Sequence, residues 1–201
     1  MFELDKTLHE VLDTVMAEAM ARDVTHEVYE PKLERVDVPN LLNGTMNTAT
    51  SDASFKRFPL ECDPKLLPDF ALDPQLLKFI HRNAISNACK YGKRGGKVVT
   101  EVKWDLGNKC MQINVVNLPG IRHEEILQLG SEKASELIFS PGLRLDVHKN
   151  NGNNESKTIS SHSAGDGAWI MSKCAKTLKG QCKLNFFSDQ TVFSFQFPVV
   201  T

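Results

Sequence analysis

Apolar residues recur at helical spacing in four segments of this chain, which predicts four helices. The first amphipathic segment covers residues 5–22, and the second runs from Pro74 to about Tyr91. Asp73 stands at the N-cap of the second helix and Pro74 at its first helical position, where these residue types are favoured. The two remaining helices are expected at residues 122–129 and 166–179.

Alternation of apolar and polar residues predicts the strands. The clearest pair follows the second helix, where a hairpin turn at Gly107 and Asn108 joins two alternating runs. The residues that share one face in each run are Val98, Thr100, Val102 and Trp104, and then Met111, Ile113 and Val115. Gly180 is expected to stop the last helix. Shorter strands are expected at residues 24–29, 68–72, 182–187 and 191–198.

Two long polar segments lie between these elements. Residues 37–64 are rich in Pro, Asn, Thr, Ser and Asp, and residues 130–164 are rich in Gly, Asn and Ser. Both are expected to be long surface loops or insertions. Helices mixed with mostly antiparallel strands predict an α/β (α+β) two-layer sandwich, formed by residues 1–201 as a single domain.

Composition narrows the class of protein without identifying a site. Among 201 residues, 41% are hydrophobic and 24% are charged, which is ordinary for a soluble globular domain. The formal net charge of −1 gives no electrostatic case for nucleic acid or an anionic membrane. The sequence has no apolar run approaching the ~18 residues of a membrane span. We therefore expect a cytoplasmic module without direct membrane insertion.

The most informative segment is the second predicted helix. Asn83, Asn87 and Tyr91 are spaced four residues apart, so they share one helical face. An apolar stripe that would bury the helix lies beside them and contains Leu77, Ile80, Ala84 and Ala88. Amide side chains have low helix propensity because they compete with the backbone for hydrogen bonds. Two of them in one helix therefore indicate a functional role.

This segment resembles the N box, N-x-x-x-N-A-x-K-Y, of the histidine kinase branch of the GHKL ATPases. The register agrees without a gap from Asp73 to Asn83, and Lys90 with Tyr91 favours the kinase branch. The resemblance implies the Bergerat fold of the HATPase domains, a mixed and mostly antiparallel sheet covered by helices on one face. It also places residues 130–164 where the family carries its mobile ATP lid.

The resemblance implies that ATP and Mg²⁺ are the ligands. Asn87 would coordinate Mg²⁺ through its side-chain oxygen, the hard ligand that this ion prefers. Asn83 would orient water or phosphate, Lys90 would contact phosphate as a point charge, and Tyr91 would lie against the adenine. Asn83, Asn87 and Lys90 are thus the candidate catalytic residues. The alternative is that these polar groups only solvate an exposed helix face.

A second family motif, D-x-G-x-G, is altered here. Strand alternation places Asn117 at the Asp position, with one residue missing before Gly120, whereas a gapless alignment places Val116 there and Leu118 at the first Gly. Alternation favours Asn117, because a slip by one residue would turn the apolar residues outward. Asn117 would then accept a hydrogen bond from the adenine amino group without charge assistance. A plain Pro-Gly turn is the alternative.

A third motif, at residues 163–170, resembles the family's G-x-G-x-G-L followed by a helix. Gly165 and Gly167 would present backbone N–H groups to the phosphates at the helix N-terminus. Asp166 is discordant because its charge would repel a triphosphate, and its simpler role is that of an N-cap.

The resemblance therefore implies the ATP-binding catalytic domain of a sensor histidine kinase, a phosphotransferase of two-component signal transduction. The γ-phosphoryl group of ATP would pass to a His on a separate helical dimerisation domain outside this chain, and a response-regulator receiver domain would act downstream. His9 and Glu10 superficially resemble a phosphoacceptor box, but they lie inside the first predicted helix.

Two alternatives to this function stay open. The first is a degenerate, pseudokinase-like GHKL module that acts in protein interaction or regulation without efficient ATP turnover, as the altered second and third motifs suggest. The second is another GHKL ATPase such as a serine-kinase anti-sigma factor, against which Lys90 and Tyr91 argue.

Overall fold

The computed structural model describes residues 2–48, 58–141 and 166–200, and within them six helices and seven strands. The helices are α1 (Phe2–Thr25), α2 (Val38–Thr48), α3 (Pro74–Tyr91), α4 (His123–Leu129), α5 (Ser131–Ile138) and α6 (Gly167–Thr177). The strands are β1 (Glu34–Val36), β2 (Leu60–Asp63), β3 (Phe70–Leu72), β4 (Val98–Asp105), β5 (Cys110–Asn117), β6 (Gln181–Phe186) and β7 (Thr191–Pro198).

The main sheet has five strands in the order β2-β4-β5-β7-β6. Strand β2 runs parallel to β4, and all other neighbours are antiparallel. Strands β1 and β3 form a separate antiparallel pair. Helix α3 packs against β4 and β5, and α6 packs against β6 and β7. The expected two-layer sandwich with a mixed, mostly antiparallel sheet is confirmed.

The hydrophobic core lies between the helices and one face of this sheet. The middle residues of β4, β5 and β7 that point to this face are buried at every second position, as strand alternation requires. Helix α3 contributes its apolar stripe, in which Leu77, Ile80 and Ala84 are buried. Phe195 and Phe197 of β7 stack with their ring centroids 4.4 Å apart. The core thus fixes the orientation of α3, which turns its polar face away from the sheet.

The opposite face of the sheet carries a network of polar side chains. Gln112 Nε2 donates to Asn114 Oδ1 at 2.9 Å and to Ser194 Oγ at 3.1 Å. Asn114 Nδ2 in turn donates to Glu101 Oε2 at 3.1 Å. Antiparallel sheets commonly have one solvated face of this kind. The predicted site residues lie instead on the helical side of the sheet or at the ends of its strands.

Asp73 fixes the start of α3 with both of its carboxylate oxygens. Its Oδ1 accepts from the backbone N–H groups of Gln75 and Leu76 at 2.9 and 3.1 Å, which is the expected N-cap. Its Oδ2 accepts from Tyr29 Oη at 2.9 Å and from the Lys32 backbone N–H at 2.7 Å. The cap is fully buried and ties the segment between α1 and β1 to the helix.

The expected strand at residues 24–29 is wrong, because α1 continues to Thr25. Val24 is buried in the core as part of this helix, so tertiary packing overrides its β-branched preference. Earlier in the same helix, Val11, Leu12 and Val15 are each more than half exposed. None of the described helices is both long enough and apolar enough to cross a membrane.

The expected long surface loop at residues 37–64 is also wrong in its two outer parts. Residues Val38–Thr48 form α2, whose Val38, Leu42 and Met46 are buried at a spacing of four, and Leu60–Asp63 form the edge strand β2. Within the expected lid, Ser131–Ile138 form helix α5. Residues 142–164 of that lid lie outside the described residues.

Gly180 follows the end of α6 and donates its N–H to the Ala175 carbonyl at 2.8 Å, but it does not supply the left-handed conformation expected of a helix stop. Lys179 holds the left-handed conformation after α6, with φ of 57°. A Cβ on Gly180 would lie 2.3 Å from the Gln196 carbonyl oxygen, so glycine is required there by the close approach of β7. The left-handed turn and the glycine therefore occupy neighbouring positions.

Helix α5 covers the outer edge of β6. The hydroxyl oxygens of Ser131 and Ser135 accept hydrogen bonds from the backbone N–H groups of Phe186 and Leu184 at 2.9 and 3.2 Å. One helical turn rises about as far as two strand residues extend, so both contacts form together. Two donors of an edge strand are thus bonded to a helix instead of a further strand.

His81 is a buried histidine of α3, with only 1% of its surface exposed. The Thr45 hydroxyl donates to the Leu42 carbonyl at 2.7 Å, so it must accept from His81 Nδ1. His81 Nε2 is then the acceptor that faces the Thr100 hydroxyl at 2.9 Å, and it is a stronger acceptor than the Met46 sulfur, which lies 4.0 Å from the same hydroxyl. Burial lowers the pKa of His81 to about 4, so the ring is neutral in the folded protein. It joins α2, α3 and β4.

We expect this histidine to make the protein less stable in acid. Its pKa is about 4 when folded against an ordinary 6.5, so stability present above pH 6.5 is lost as the pH falls towards 4, by about 3 kcal/mol in all. Urea unfolding of the parent and of His81→Gln between pH 7 and 4 measures the loss. The variant, which cannot protonate there, should have a shallower pH dependence; equal slopes would contradict the assignment.

Candidate functional site

The polar face of α3 is the starting point of the site. Asn83 and Asn87 lie one turn apart and are both half-buried, while Lys90 and Tyr91 at the end of the helix are exposed. The face is therefore neither core nor fully solvated. Lys90 Nζ lies 5.2 Å from the centroid of the Tyr91 ring, within the range of a cation–π contact.

The N-terminus of α6 meets this face at Asn83. A Cβ built on Gly167, the first residue of α6, would lie 3.4 Å from Asn83 Oδ1. The amide nitrogen of Asn83 donates to the Phe79 carbonyl at 2.9 Å, which turns the amide oxygen towards α6. Asn83 and Asn87 form an amide ladder on α3. The structure brings Asn83 of this ladder next to Gly167 of the third motif, 84 residues further along the sequence.

The third motif also contains Asp166 and Gly165, which directly precede α6. Asp166 stands at the N-cap position of α6, but its side chain makes no capping hydrogen bond to the helix. The expectation of a side-chain N-cap there is therefore wrong. Gly165, the other expected phosphate-binding glycine, lies outside the described residues.

The C-terminal end of α3 touches the turn that follows β5, backbone against backbone. A Cβ on Gly120 would lie 1.8 Å from the Tyr91 carbonyl oxygen, a distance that no side chain tolerates. The Lys93 N–H donates to the Leu118 carbonyl at 3.1 Å. The turn at Pro119 and Gly120 is thus held against the helix that carries the amide ladder.

Asn117 is the last residue of β5 and lies at this junction. In the strand register it faces Val98 and Thr191, on the same side of the sheet as the buried Val115. This is the orientation that the alternation of the sequence predicts. Its Nδ2 donates to the Leu118 carbonyl at 2.9 Å.

Sequence reasoning missed Gly92, although this residue is needed for the contact. A Cβ there would lie 2.5 Å from the Ala88 carbonyl oxygen and 2.6 Å from Asn117 Nδ2. A glycine directly after the predicted helix end was the only local signal. The close approach depends on a strand more than twenty residues further along the chain, which that local signal does not reveal.

The arrangement of the sheet and the helices defines a fold class. The fold is that of the catalytic and ATP-binding domains of histidine kinases, as similar solved structures show. The fold expected from the N box is confirmed.

Three of these structures illustrate the similarity. Full-length ShkA, whose crystal structure contains AMPPNP, has a TM-score of 0.65 and 18% identity over 99% of this chain and 36% of its own. The catalytic domain of the histidine kinase ThkA has a TM-score of 0.63 and 18% identity over 83% of this chain and 95% of its own. The histidine kinase AdeS of Acinetobacter baumannii has a TM-score of 0.60 and 12% identity over 98% of this chain and 83% of its own.

The chain spans little more than a third of the length of ShkA, so it corresponds to one part of that protein. No protein-family model matches the sequence, and no curated protein matches it. The similarity is thus one of fold, and the roles of the site residues depend on the contacts that they make in this chain.

We expect Gly120→Ala to destabilise the protein by about 2 kcal/mol or more, since the added Cβ meets backbone that cannot rotate away. Gly44→Ala in α2 is the matched control, because a Cβ there has nothing within 4 Å and alanine favours a helix by up to about 1 kcal/mol. Urea unfolding of both variants measures the difference. Equal stability of the two would show that the helix and the turn are not in close contact.

Proposed function

We propose that this chain is the ATP-binding catalytic domain of a sensor histidine kinase, which transfers the γ-phosphoryl group of ATP to a histidine of another domain. The observation that carries the proposal is the position of Asn83 and Asn87. Their amides are half-buried on a helix whose polar face meets the N-terminus of α6. A helix N-terminus attracts phosphate, and amide oxygens suit Mg²⁺.

Bound Mg·ATP would supply the reactive phosphoryl group. Asn87 would hold the metal through its amide oxygen, and Asn83, whose own oxygen faces α6, would orient water or phosphate. Lys90 is exposed one turn further on and would contact phosphate as a point charge. The backbone N–H of Gly167 would bind phosphate, and the missing side chain leaves room for it. Catalysis of this kind depends on positioning and on charge stabilisation.

The base would lie at the other end of the site. Tyr91 is about half exposed there and offers an aromatic face, and Asn117 offers a hydrogen-bond acceptor. Gly120 allows the turn after β5 to approach the helix end, which would bring the acceptor close to the aromatic ring.

The partners follow from this assignment. The phosphoacceptor would belong to a helical dimerisation domain outside this chain, and a receiver domain would take the phosphoryl group from it in two-component signalling. The chain would act in the cytoplasm.

A specific observation favours the alternative of a pseudokinase-like regulatory module. Asp166 places a carboxylate beside Gly167 at the N-terminus of α6, where it would repel phosphate. Such a module would keep the fold and lose efficient nucleotide turnover.

We expect Asn87→Ala to weaken Mg·ADP binding by about tenfold or more, because it removes the proposed metal ligand. Calorimetric titration with ADP, in Mg²⁺ and in EDTA, measures the effect. Ser86→Ala is the matched control, since Ser86 is the exposed neighbour on the same helix. A parent protein that binds neither ADP nor ATP at millimolar concentration would favour the regulatory module. Binding that is equal in the parent and in Asn87→Ala would exclude the role of Asn87.

A further inference from the structure

A tight turn follows α3 and carries three basic side chains. The Gly96 N–H donates to the Lys93 carbonyl at 2.8 Å, and Gly95 supplies the positive φ, 73°, that a turn of this kind requires at its third position. Lys93, Arg94 and Lys97 are all exposed. Among the residues that the structure describes, no carboxylate forms an ion pair with any of the three. The turn therefore presents an uncompensated cluster of positive charge to solvent.

Two exposed aliphatic side chains lie beside this turn, on the segment that follows β5. Leu118 is 40% exposed and Ile121 is 99% exposed. The Leu118 carbonyl accepts the Lys93 N–H at 3.1 Å. A Cβ on Gly120, the residue before Ile121, would lie 3.3 Å from the carbonyl carbon of Gly92. Gly92 directly precedes Lys93, so Ile121 and the basic turn are neighbours in space. The basic–apolar tip thus consists of Lys93, Arg94, Lys97, Leu118 and Ile121.

The shape of this tip indicates which partner it fits. No neighbour covers Ile121, so a protein partner would have to supply the whole pocket for its side chain. Within the described part of the chain, the basic side chains make no hydrogen bond that fixes their geometry. Nucleic acid would match the positive charge, but it offers no apolar layer for an aliphatic group. A bilayer interface suits both properties, because its anionic headgroups are mobile and its acyl boundary accepts a protruding aliphatic side chain.

The acidic residues that follow the tip in sequence leave its charge largely intact. Glu125 Oε2 accepts from Arg122 Nε at 2.8 Å, so these two charges compensate each other. Glu124 is exposed and is one carboxylate against the three cations of the turn. The formal net charge of −1 is a sum over the whole chain, and it hides this local excess of positive charge.

We propose that the basic–apolar tip is a peripheral docking surface for an anionic lipid bilayer. The three cations lie at the level of the anionic headgroups, and Ile121 enters the boundary of the acyl region. Each Lys or Arg near such a surface raises the affinity about fivefold. Binding of this kind is reversible and needs no membrane-spanning segment.

The experiment measures co-sedimentation of the chain with vesicles of phosphatidylcholine, alone or mixed with phosphatidylserine. We expect the parent to bind the mixed vesicles at least about tenfold more tightly than the neutral ones. High salt should remove most of this binding, because mobile ions screen exposed charges. No nucleotide is present, so the result does not depend on the proposed function.

Two variants test the two parts of the tip. The triple variant Lys93→Gln, Arg94→Gln and Lys97→Gln should bind the mixed vesicles about tenfold more weakly or worse, because it removes the attraction to the headgroups. Ile121→Ser should weaken binding about threefold or more, because less apolar area enters the bilayer. All four side chains are exposed, so the melting temperature should stay that of the parent.

Matched controls lie away from the tip. Leu106 is 68% exposed in the turn between β4 and β5, and the eight residues of β4 place it about 25 Å from the basic turn. Leu106→Ser is therefore the control for Ile121→Ser. The control for charge replaces three other exposed lysines with Gln: Lys133, Lys176 and Lys183. Both controls should keep the affinity of the parent for the mixed vesicles.

Three outcomes would overturn the proposal. The first is a parent that binds no vesicles, or binds neutral and anionic vesicles equally. The second is a loss of binding that is as large in the controls as in the tip variants. The third is a parent that ignores vesicles but binds polyglutamate through the three cations, which would assign the tip to an acidic protein partner.

Discussion

The rest of the site depends on the contact between the C-terminal end of α3 and the turn after β5. Two glycines, Gly92 and Gly120, allow this contact, and no side chain separates the two backbones. The buried carboxylate of Asp73 fixes the other end of the same helix. A helix held at both ends presents Asn83 and Asn87 in a constant orientation, which is what a site built on a rigid element requires.

The parts of the fold that the sequence predicts are those with local signals. Helix α3 has its cap, its proline and its apolar stripe within one segment, and the hairpin of β4 and β5 has clear alternation around a short turn. Helix α2 has three buried apolar residues among Asn, Gly and Thr, so its formation depends on packing against α3 more than on propensity. The parallel pairing of β2 with β4 is non-local and has no turn to indicate it.

The candidate site likewise has one part that the sequence predicts and another that depends on contacts between distant segments. The amide ladder and the orientation of Asn117 follow from helical and strand periodicity, so they were predictable from spacing alone. The contact of Gly167 with Asn83 and the close approach of Gly92 to the Asn117 amide join distant segments. Their geometry arises only when the sheet brings the strand ends and the helix termini to one side.

The cover of β6 by α5 has a consequence for the sheet as a whole. An edge strand with bare N–H groups is a template for another chain, and long exposed edges promote aggregation. The hydroxyl oxygens of Ser131 and Ser135 accept hydrogen bonds from two of these N–H groups, so these two groups are satisfied without a further strand. This part of the β6 edge is therefore protected from pairing with another chain. A chain that lost residues 131–138 would expose both N–H groups to such pairing.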